Sequence, residues 1–345
     1  MRIAIVNDTN IATEVLKRLV NSFPQHEIAW VAENGKIAVE KCANDIPDLI
    51  LMDIIMPVMN GVEATRTIME NSPCSILMVT STVDGNASLV FEAMGAGALD
   101  AVNTPVMKDA GDVYGMEPFI EKINTLEKLI GSNKRIAVSR DRTSNKTYDN
   151  NKLIVALGAS TGGPSALATV LSSFNSTFPY PIVLSQHVDK MFTENFAKWL
   201  ESQISLKVRL ARENDKPQPG VVLVAGTGDN LMLDSDLRFK YTPEPIHYPY
   251  RPSVNVMFES IAQNWNGDAI GVLLTGMGDD GAHGLLKMKM QGWPTIAQDA
   301  ATCAVYGMPK AAAKLNAADE ILPLDQIGKT ILDIISNRYK KKIAS

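Results

Sequence analysis

The chain has 345 residues, 46% hydrophobic and 21% charged, with a formal net charge of −5. That is the balance of a globular protein with room for two cores, and it argues against a general nucleic-acid binder. The 3 cysteines (Cys42, Cys74, Cys303) are odd in number and lack metal-ligand spacing, which points to a reducing cytoplasm. No apolar run approaches the ~18 residues of a bilayer span, and Met1 leads straight into a strand rather than a signal peptide, so no direct membrane insertion is expected.

Residues 2–6 read as a buried strand ending at Asn7-Asp8, followed by a helical pattern through Val15, Leu16, Leu19 and Val20. A second strand covers 28–31 and a second helix 35–42. A third strand, 48–52, ends at Asp53; 75–79 ends at Thr80, and Ala101-Val102 ends near Thr104-Pro105. Strands alternating with helices predict a doubly wound parallel sheet, whose carboxyl edge gathers these polar residues. Asp8 and Asp53 are hard oxygen ligands suited to Mg²⁺, the Thr80 hydroxyl could steady a phosphoryl oxygen, and Asp53 could accept a phosphoryl group. The plainer alternative is that acids after strands cap helices.

The run Asp53-Ile-Ile-Met56-Pro57-Val-Met-Asn-Gly61 is more specific. Over residues 1–127 the chain resembles the receiver domain of bacterial response regulators. The resemblance implies a flavodoxin-like fold, Asp53 as phosphoacceptor, Asp8 and the Ile55 carbonyl as further metal ligands, Thr80 as the phosphoryl-contacting hydroxyl, and a histidine kinase as phosphodonor. The chain departs from that pattern at Asn7, where receivers usually have a second acid. It departs again at Thr104, where they carry lysine, and at Ala101, where an aromatic residue is common. Lys108 is too loosely placed by sequence to replace the missing cation.

Residues 128–150 are expected to be a polar interdomain linker, with only Ile136 and Val138 as sizeable aliphatics from 131 onward. The second domain, 151–340, opens on the apolar run 153–157 and breaks into Gly158-Ala-Ser160-Thr-Gly162-Gly163-Pro164 before a helical pattern. Three readings compete there. The turn matches a nucleophile elbow presenting Ser160. It almost matches a phosphate loop, but Pro164 stands where the lysine must be. It is also compatible with a glycine turn in which Ser160 caps the helix.

Further along, strand 181–185 runs into Gln186-His187, and a helix follows through Phe192, Phe196, Trp199 and Leu200. Strands 206–210 and 221–225 come next, then a hairpin at 231–233 and 238–241. The longest buried strand, 269–275, enters Gly276-Met-Gly278-Asp-Asp280-Gly281. A serine, a histidine and an acid thus each follow a parallel strand. Of the histidines, His26 reads as surface, His247 as lying in a proline-rich loop where it could line a site without reacting, His283 as lying on the helix after the glycine turn, and His187 as the general base. A rival reading takes Gly276-x-Gly278-x-x-Gly281, with Asp299 downstream, as a dinucleotide fingerprint. Two acids in the turn where a pyrophosphate needs bare amides argue against it.

The second domain resembles the protein-glutamate methylesterase domain of chemotaxis-type regulators, the CheB family. The matching stretches are Gly158-Ala-Ser-Thr-Gly-Gly163, Gln186-His187, Arg251-Pro-Ser-Val254, Leu274-Thr-Gly-Met-Gly278-Asp-Asp280-Gly281, Thr295-Ile-Ala-Gln298 and Gly307-Met-Pro309. The resemblance implies a Rossmann-like sheet with Ser160 as nucleophile, His187 as base and Asp280 as acid. It places Thr161 and Met277 at the oxyanion hole. The implied substrate is the cytoplasmic domain of methyl-accepting chemoreceptors, with glutamine deamidation as a second reaction and a receiver that covers the active-site face until phosphorylated. Mg²⁺ is expected to serve only phosphorylation, and the esterase to need no cofactor. Asn7 and Asn103-Thr104-Pro105 resemble the branch serving Wsp-type surface sensing. The alternatives are a catalytically weak regulator acting by docking, and a dinucleotide-binding oxidoreductase.

Overall fold

A computed structural model describes residues 1–81, 86–107, 113–114, 116–130, 152–188, 190–245 and 251–343. It divides into two compact units, Met1–Arg135 and Ile136–Ser345. The readings of Lys108, of His247 and of most of the linker fall outside the described residues.

The first unit alternates β1 (Arg2–Val6), α1 (Asn10–Asn21), β2 (Glu27–Ala32), α2 (Gly35–Asn44), β3 (Leu49–Met52), α3 (Gly61–Asn71), β4 (Ser75–Thr80), α4 (Ala87–Gly95) and β5 (Asp100–Asn103). A short antiparallel pair, β6 (Val106–Met107) and β7 (Val113–Tyr114), precedes α5 (Met116–Ile130). The five-stranded sheet has the order β2-β1-β3-β4-β5 and is parallel throughout. Ile3, Ile5, Leu49, Leu51, Leu77 and Val79 are buried in one core with Val15, Leu16 and Leu19 of α1 and Phe119, Ile123 and Leu126 of α5. The continuous apolar runs are thus strands covered on both faces. Because β2 lies on one side of β1 and β3 on the other, the chain reverses direction there, and the residues after β1 and β3 open into the resulting crevice. Contrary to the sequence reading, His26 is buried: its ring packs 5.6 Å from that of Phe23 and its Nδ1 lies 3.5 Å from the Met1 nitrogen.

The second unit runs β8 (Leu153–Ala159), α6 (Gly163–Leu171), β9 (Ile182–Gln186), α7 (Thr193–Gln203), β10 (Lys207–Leu210) and β11 (Val221–Val224). The hairpin β12 (Asn230–Leu233) and β13 (Phe239–Thr242) follows, as its sequence pattern predicts, then α8 (Val254–Asn264) and β14 (Asp268–Leu273). The chain ends with α9 (Ala282–Met290), β15 (Thr295–Gln298), α10 (Met308–Lys314), β16 (Glu320–Leu322) and α11 (Leu324–Ile343). Seven of these strands form a parallel sheet in the order β10-β11-β9-β8-β14-β15-β16. Here β8 is the reversal point, flanked by β9 and β14. The expected pair of doubly wound parallel α/β domains is what the structure contains. Among the described residues no helix is long and apolar enough to cross a membrane.

The turn after β8 does not use Ser160 as a helix cap. Gly162 is the N-cap of α6, at φ +75°, a conformation that a side chain would strain. Each unit has its own sheet and core, so residues 152–345 expressed alone should unfold in one cooperative thermal transition. A broad, non-cooperative melt would show that this unit depends on the first.

Candidate active site

Three adjacent strands deliver the three residues that the sequence singles out in the second unit. Ser160 follows β8 with its N–H donating to the Thr275 carbonyl at 3.0 Å. His187 follows β9, its N–H donating to the Ala159 carbonyl at 3.1 Å. Asp280 lies in the turn between β14 and α9. The side chains connect: Ser160 Oγ is 3.2 Å from His187 Nδ1, and His187 Nε2 is 2.8 Å from Asp280 Oδ2. Asp280 is buried whereas its neighbour Asp279 is exposed, so burial separates two acids that spacing alone cannot.

The Asp280 carboxylate sits on the N-terminus of α8. Its Oδ1 accepts from Ser253 Oγ at 2.8 Å and the Asn255 N–H at 3.0 Å, and its Oδ2 accepts from the Val254 N–H at 2.7 Å as well as from His187. Burial pushes the carboxyl pKa up, but the bond and charge of His187 and the donors at Asn255 and Ser253 outweigh it and hold it below its ordinary value. An ionised carboxylate only accepts, so His187 Nε2 carries the ring proton and Nδ1 turns its lone pair to Ser160 Oγ. The two ring nitrogens thus exchange the parts they play in the serine-protease template, where the aspartate takes Nδ1.

Several residues of this site were not singled out for a role by sequence. Ser253, Val254 and Asn255 hold Asp280; the legible signal was a serine at a helix N-cap, which Ser253 is, accepting from the Val256 N–H at 3.4 Å. The Thr275 hydroxyl lies 3.0 Å from the Thr161 carbonyl and 2.9 Å from the Val305 N–H, joining the two glycine turns. Gly276 must lack a side chain, since a Cβ there would come within 2.7 Å of Ser160 Cβ. Among the described residues the N–H groups of Thr161 and Met277 donate to no protein acceptor. His283 lies on α9, as the sequence pattern predicts. The dinucleotide reading fails on the same geometry, because Asp280 fills its turn with a buried anion and Asp299 Oδ1 accepts from the Thr302 N–H and hydroxyl.

In the first unit, Asp53 follows β3 and its Oδ1 accepts from the Ile54 N–H at 2.7 Å. Its Oδ2 accepts from Asn7 Nδ2 at 2.9 Å, and Asn7 Oδ1 is in turn held by the N–H and hydroxyl of Thr9 at 2.9 and 2.7 Å. Asn7 is therefore fixed as a donor towards Asp53. Burial, and next the negative charge of Asp8, push the Asp53 pKa up to about 6 against the pull of the Ile54 and Ile55 N–H groups. Thr80 is buried at the end of β4, its Oγ1 accepting from Asn86 Nδ2 at 3.2 Å and its carbonyl from the Thr104 N–H at 2.8 Å. The donor set fits Mg²⁺: hard carboxylate oxygens whose mutual repulsion a divalent cation would relieve. Among the described residues no group of three or more His, Cys, Asp or Glu side chains comes together as a metal site.

The fold and these two sites define a receiver-type unit followed by a unit with a hydrogen-bonded serine–histidine–aspartate chain. Residues 155–331 match the family model of the CheB methylesterase, and residues 3–111 match that of the response regulator receiver domain. The chain belongs to the CheB methylesterase family. It is 53% identical over 327 residues to "Protein-glutamate methylesterase/protein-glutamine glutaminase 1" of Bordetella avium, covering 95% of each chain. It is 50% identical over 337 residues to "Protein-glutamate methylesterase/protein-glutamine glutaminase of group 3 operon" of Pseudomonas putida, covering 97% of this chain and 100% of that one. The crystal structure of the Thermotoga maritima CheB methylesterase catalytic domain superimposes with a TM-score of 0.50 at 34% identity, covering 52% of this chain and 97% of that one.

The Asp53 environment makes a stability prediction. Folded Asp53 takes up its proton at a higher pH than the unfolded chain does, so stability falls as pH rises from near 3.8 to about 6, and the full cost remains above that. In the absence of divalent cations, Asp53→Asn should raise the melting temperature at neutral pH, and the gain should vanish once both states are protonated in acid. A gain that grows towards low pH would contradict the assignment.

Proposed function

We propose that this chain is a response regulator that hydrolyses glutamyl methyl esters on methyl-accepting chemoreceptors, with Ser160 as nucleophile, His187 as base and Asp280 as the acid that orients it. The observation that carries the reading is the hydrogen-bonded run from Ser160 Oγ through His187 to an Asp280 carboxylate kept ionised by α8. Ser160 Oγ attacks the ester carbonyl carbon while His187 Nδ1 takes its proton. Asp280 stabilises the imidazolium that results. The Thr161 and Met277 amides, which have no protein acceptor among the described residues, would receive the tetrahedral oxyanion. The imidazolium returns its proton to the leaving methoxide, releasing methanol, and water then hydrolyses the acyl-serine to a receptor glutamate. The same attack on a glutamine amide releases ammonia, the second activity in the names of the relatives.

The first unit is read as the control element. Asp53 would take a phosphoryl group from a histidine kinase, with the Thr80 hydroxyl facing its oxygens. Asp8, Asp53 and the Ile55 carbonyl would hold Mg²⁺, whose charge would screen the carboxylates and the incoming phosphoryl group. Thr104 supplies no cation, so the phosphorylated state lacks one charge-assisted partner. Phosphorylation at Asp53 would then gate the esterase by a shift in population rather than by a change in the triad.

Methanol release from methylated receptor membranes tests the esterase. Ser160→Ala should lower turnover by about a millionfold and Asp280→Asn by about ten-thousandfold, while Asp279→Asn stays near wild type. Equal losses at the two aspartates would undo the assignment of the acid. A chelator should leave the basal esterase unchanged and abolish phosphorylation of Asp53 by a small-molecule phosphodonor. Loss of basal activity in chelator would contradict that division of roles.

A further inference from the structure

Gln186 is the last residue of β9 and is buried, yet its polar end is only half satisfied. Its Nε2 donates to the Ser160 carbonyl at 2.8 Å and to the His187 carbonyl at 3.1 Å. Its Oε1 is buried with no partner. The amide cannot be turned over, because that would set Oε1 against two carbonyl oxygens. Oε1 lies where a Cβ on Gly163 would stand, so that glycine makes room for the side chain. An apolar side chain of the same volume would fill the space without an orphan acceptor. What such a side chain lacks is the pair of donors.

Those donors act on one peptide plane. The Ser160 carbonyl also accepts from the Gly163 N–H at 2.7 Å. In a trans peptide the carbonyl and the following N–H point in opposite directions. Two donors on the Ser160 oxygen therefore fix the direction of the Thr161 N–H, and they polarise the amide so that it donates more strongly. The second turn is built in the same way. The Gly276 carbonyl accepts from the Gly307 N–H at 3.1 Å and the Met308 N–H at 2.9 Å, behind the Met277 N–H. Both amides read as the oxyanion hole thus have a carbonyl tied down by two donors on the far side. At Met277 both donors are backbone; at Thr161 one of them is the side chain of Gln186.

We infer that Gln186 is a positioning residue for the oxyanion hole, aiming the Thr161 N–H through the Ser160 carbonyl; the inference rests on the esterase reading given above. Its contribution appears when charge develops on the substrate oxygen, so it belongs to turnover rather than to receptor binding. Both Gln186 donor bonds go to backbone carbonyls, those of Ser160 and His187, so its removal acts on the aim of the peptide.

The test is Gln186→Met in the full chain, which keeps volume and removes both donors, with Gln186→Leu as a second variant should the first fail to fold. Hydrolysis of methylated receptor should show kcat lowered by about ten- to a hundredfold, somewhat less than loss of a whole oxyanion-hole donor. KM and the pH at which activity is half-maximal should stay unchanged. As an independent readout, the acyl-Ser160 formed from a slowly hydrolysed activated ester should show its carbonyl stretch at higher frequency in the variant than in wild type, because a misaimed donor polarises that carbonyl less. A folded variant with wild-type kcat and carbonyl frequency would overturn the inference. So would a loss carried by KM or by a shifted pH profile. A wild type inert towards methylated receptor would bring down the esterase reading and this inference with it; an active wild type with an unaffected variant would bring down this inference alone.

Discussion

The second unit depends on one interaction, the Asp280 carboxylate seated on the N-terminus of α8. A carboxylate removed from water without partners would cost several kcal/mol and would protonate instead. Here the Val254 and Asn255 amides, the Ser253 hydroxyl and His187 fill both of its oxygens. The helix dipole adds favourable potential at the same place. Everything downstream follows from the carboxylate staying ionised. It dictates which nitrogen of His187 bears a proton, and so which one faces Ser160. The small residues around the turn follow too, because α8 and the three strand ends must approach closely for these distances to exist.

Asp280 and Asp53 show how environment divides one side chain into two chemistries. Asp280 is buried among donors and held below its ordinary pKa, as a group that must only accept requires. Asp53 is half-buried near the charge of Asp8 and raised to about 6, with fewer donors than its charge calls for. A bound cation would relieve an aspartate left in that condition, and in the proposed function the same carboxylate takes the phosphoryl group. Asn7 moderates the arrangement. It contributes a neutral donor to the Asp53 carboxylate, fixed in that role by Thr9.

Much of this was legible because parallel strands buried on both faces read as unbroken apolar runs, and because ligand sites in such sheets form where the strand order reverses. The ends of β1, β3, β8, β9 and β14 could therefore be picked out, and with them Asp53, Ser160 and His187. Other features were not legible. Asp279 and Asp280 have the same chemistry one residue apart; local pattern does not separate them, the family resemblance named Asp280, and burial supplies the physical distinction. The grip of α8 on Asp280 joins residues 25 and more positions apart in the chain, a tertiary contact that no local pattern encodes. His26 sits among polar neighbours and reads as surface, yet it packs beneath the amino terminus. The glycine turn left Ser160 open between an exposed nucleophile and a helix cap; the cap is Gly162, at positive φ.

The most direct measurement is nitrogen NMR of the His187 ring at neutral pH in the resting protein. The expected result is a neutral imidazole with its proton on Nε2, shifted to low field by the bond to Asp280, and an unprotonated Nδ1. Replacing Ser253 by alanine should weaken that low-field signal without moving the proton to the other nitrogen. A ring protonated on Nδ1 would contradict the claim that a pinned, ionised Asp280 sets the tautomer on which the Ser160 chemistry depends.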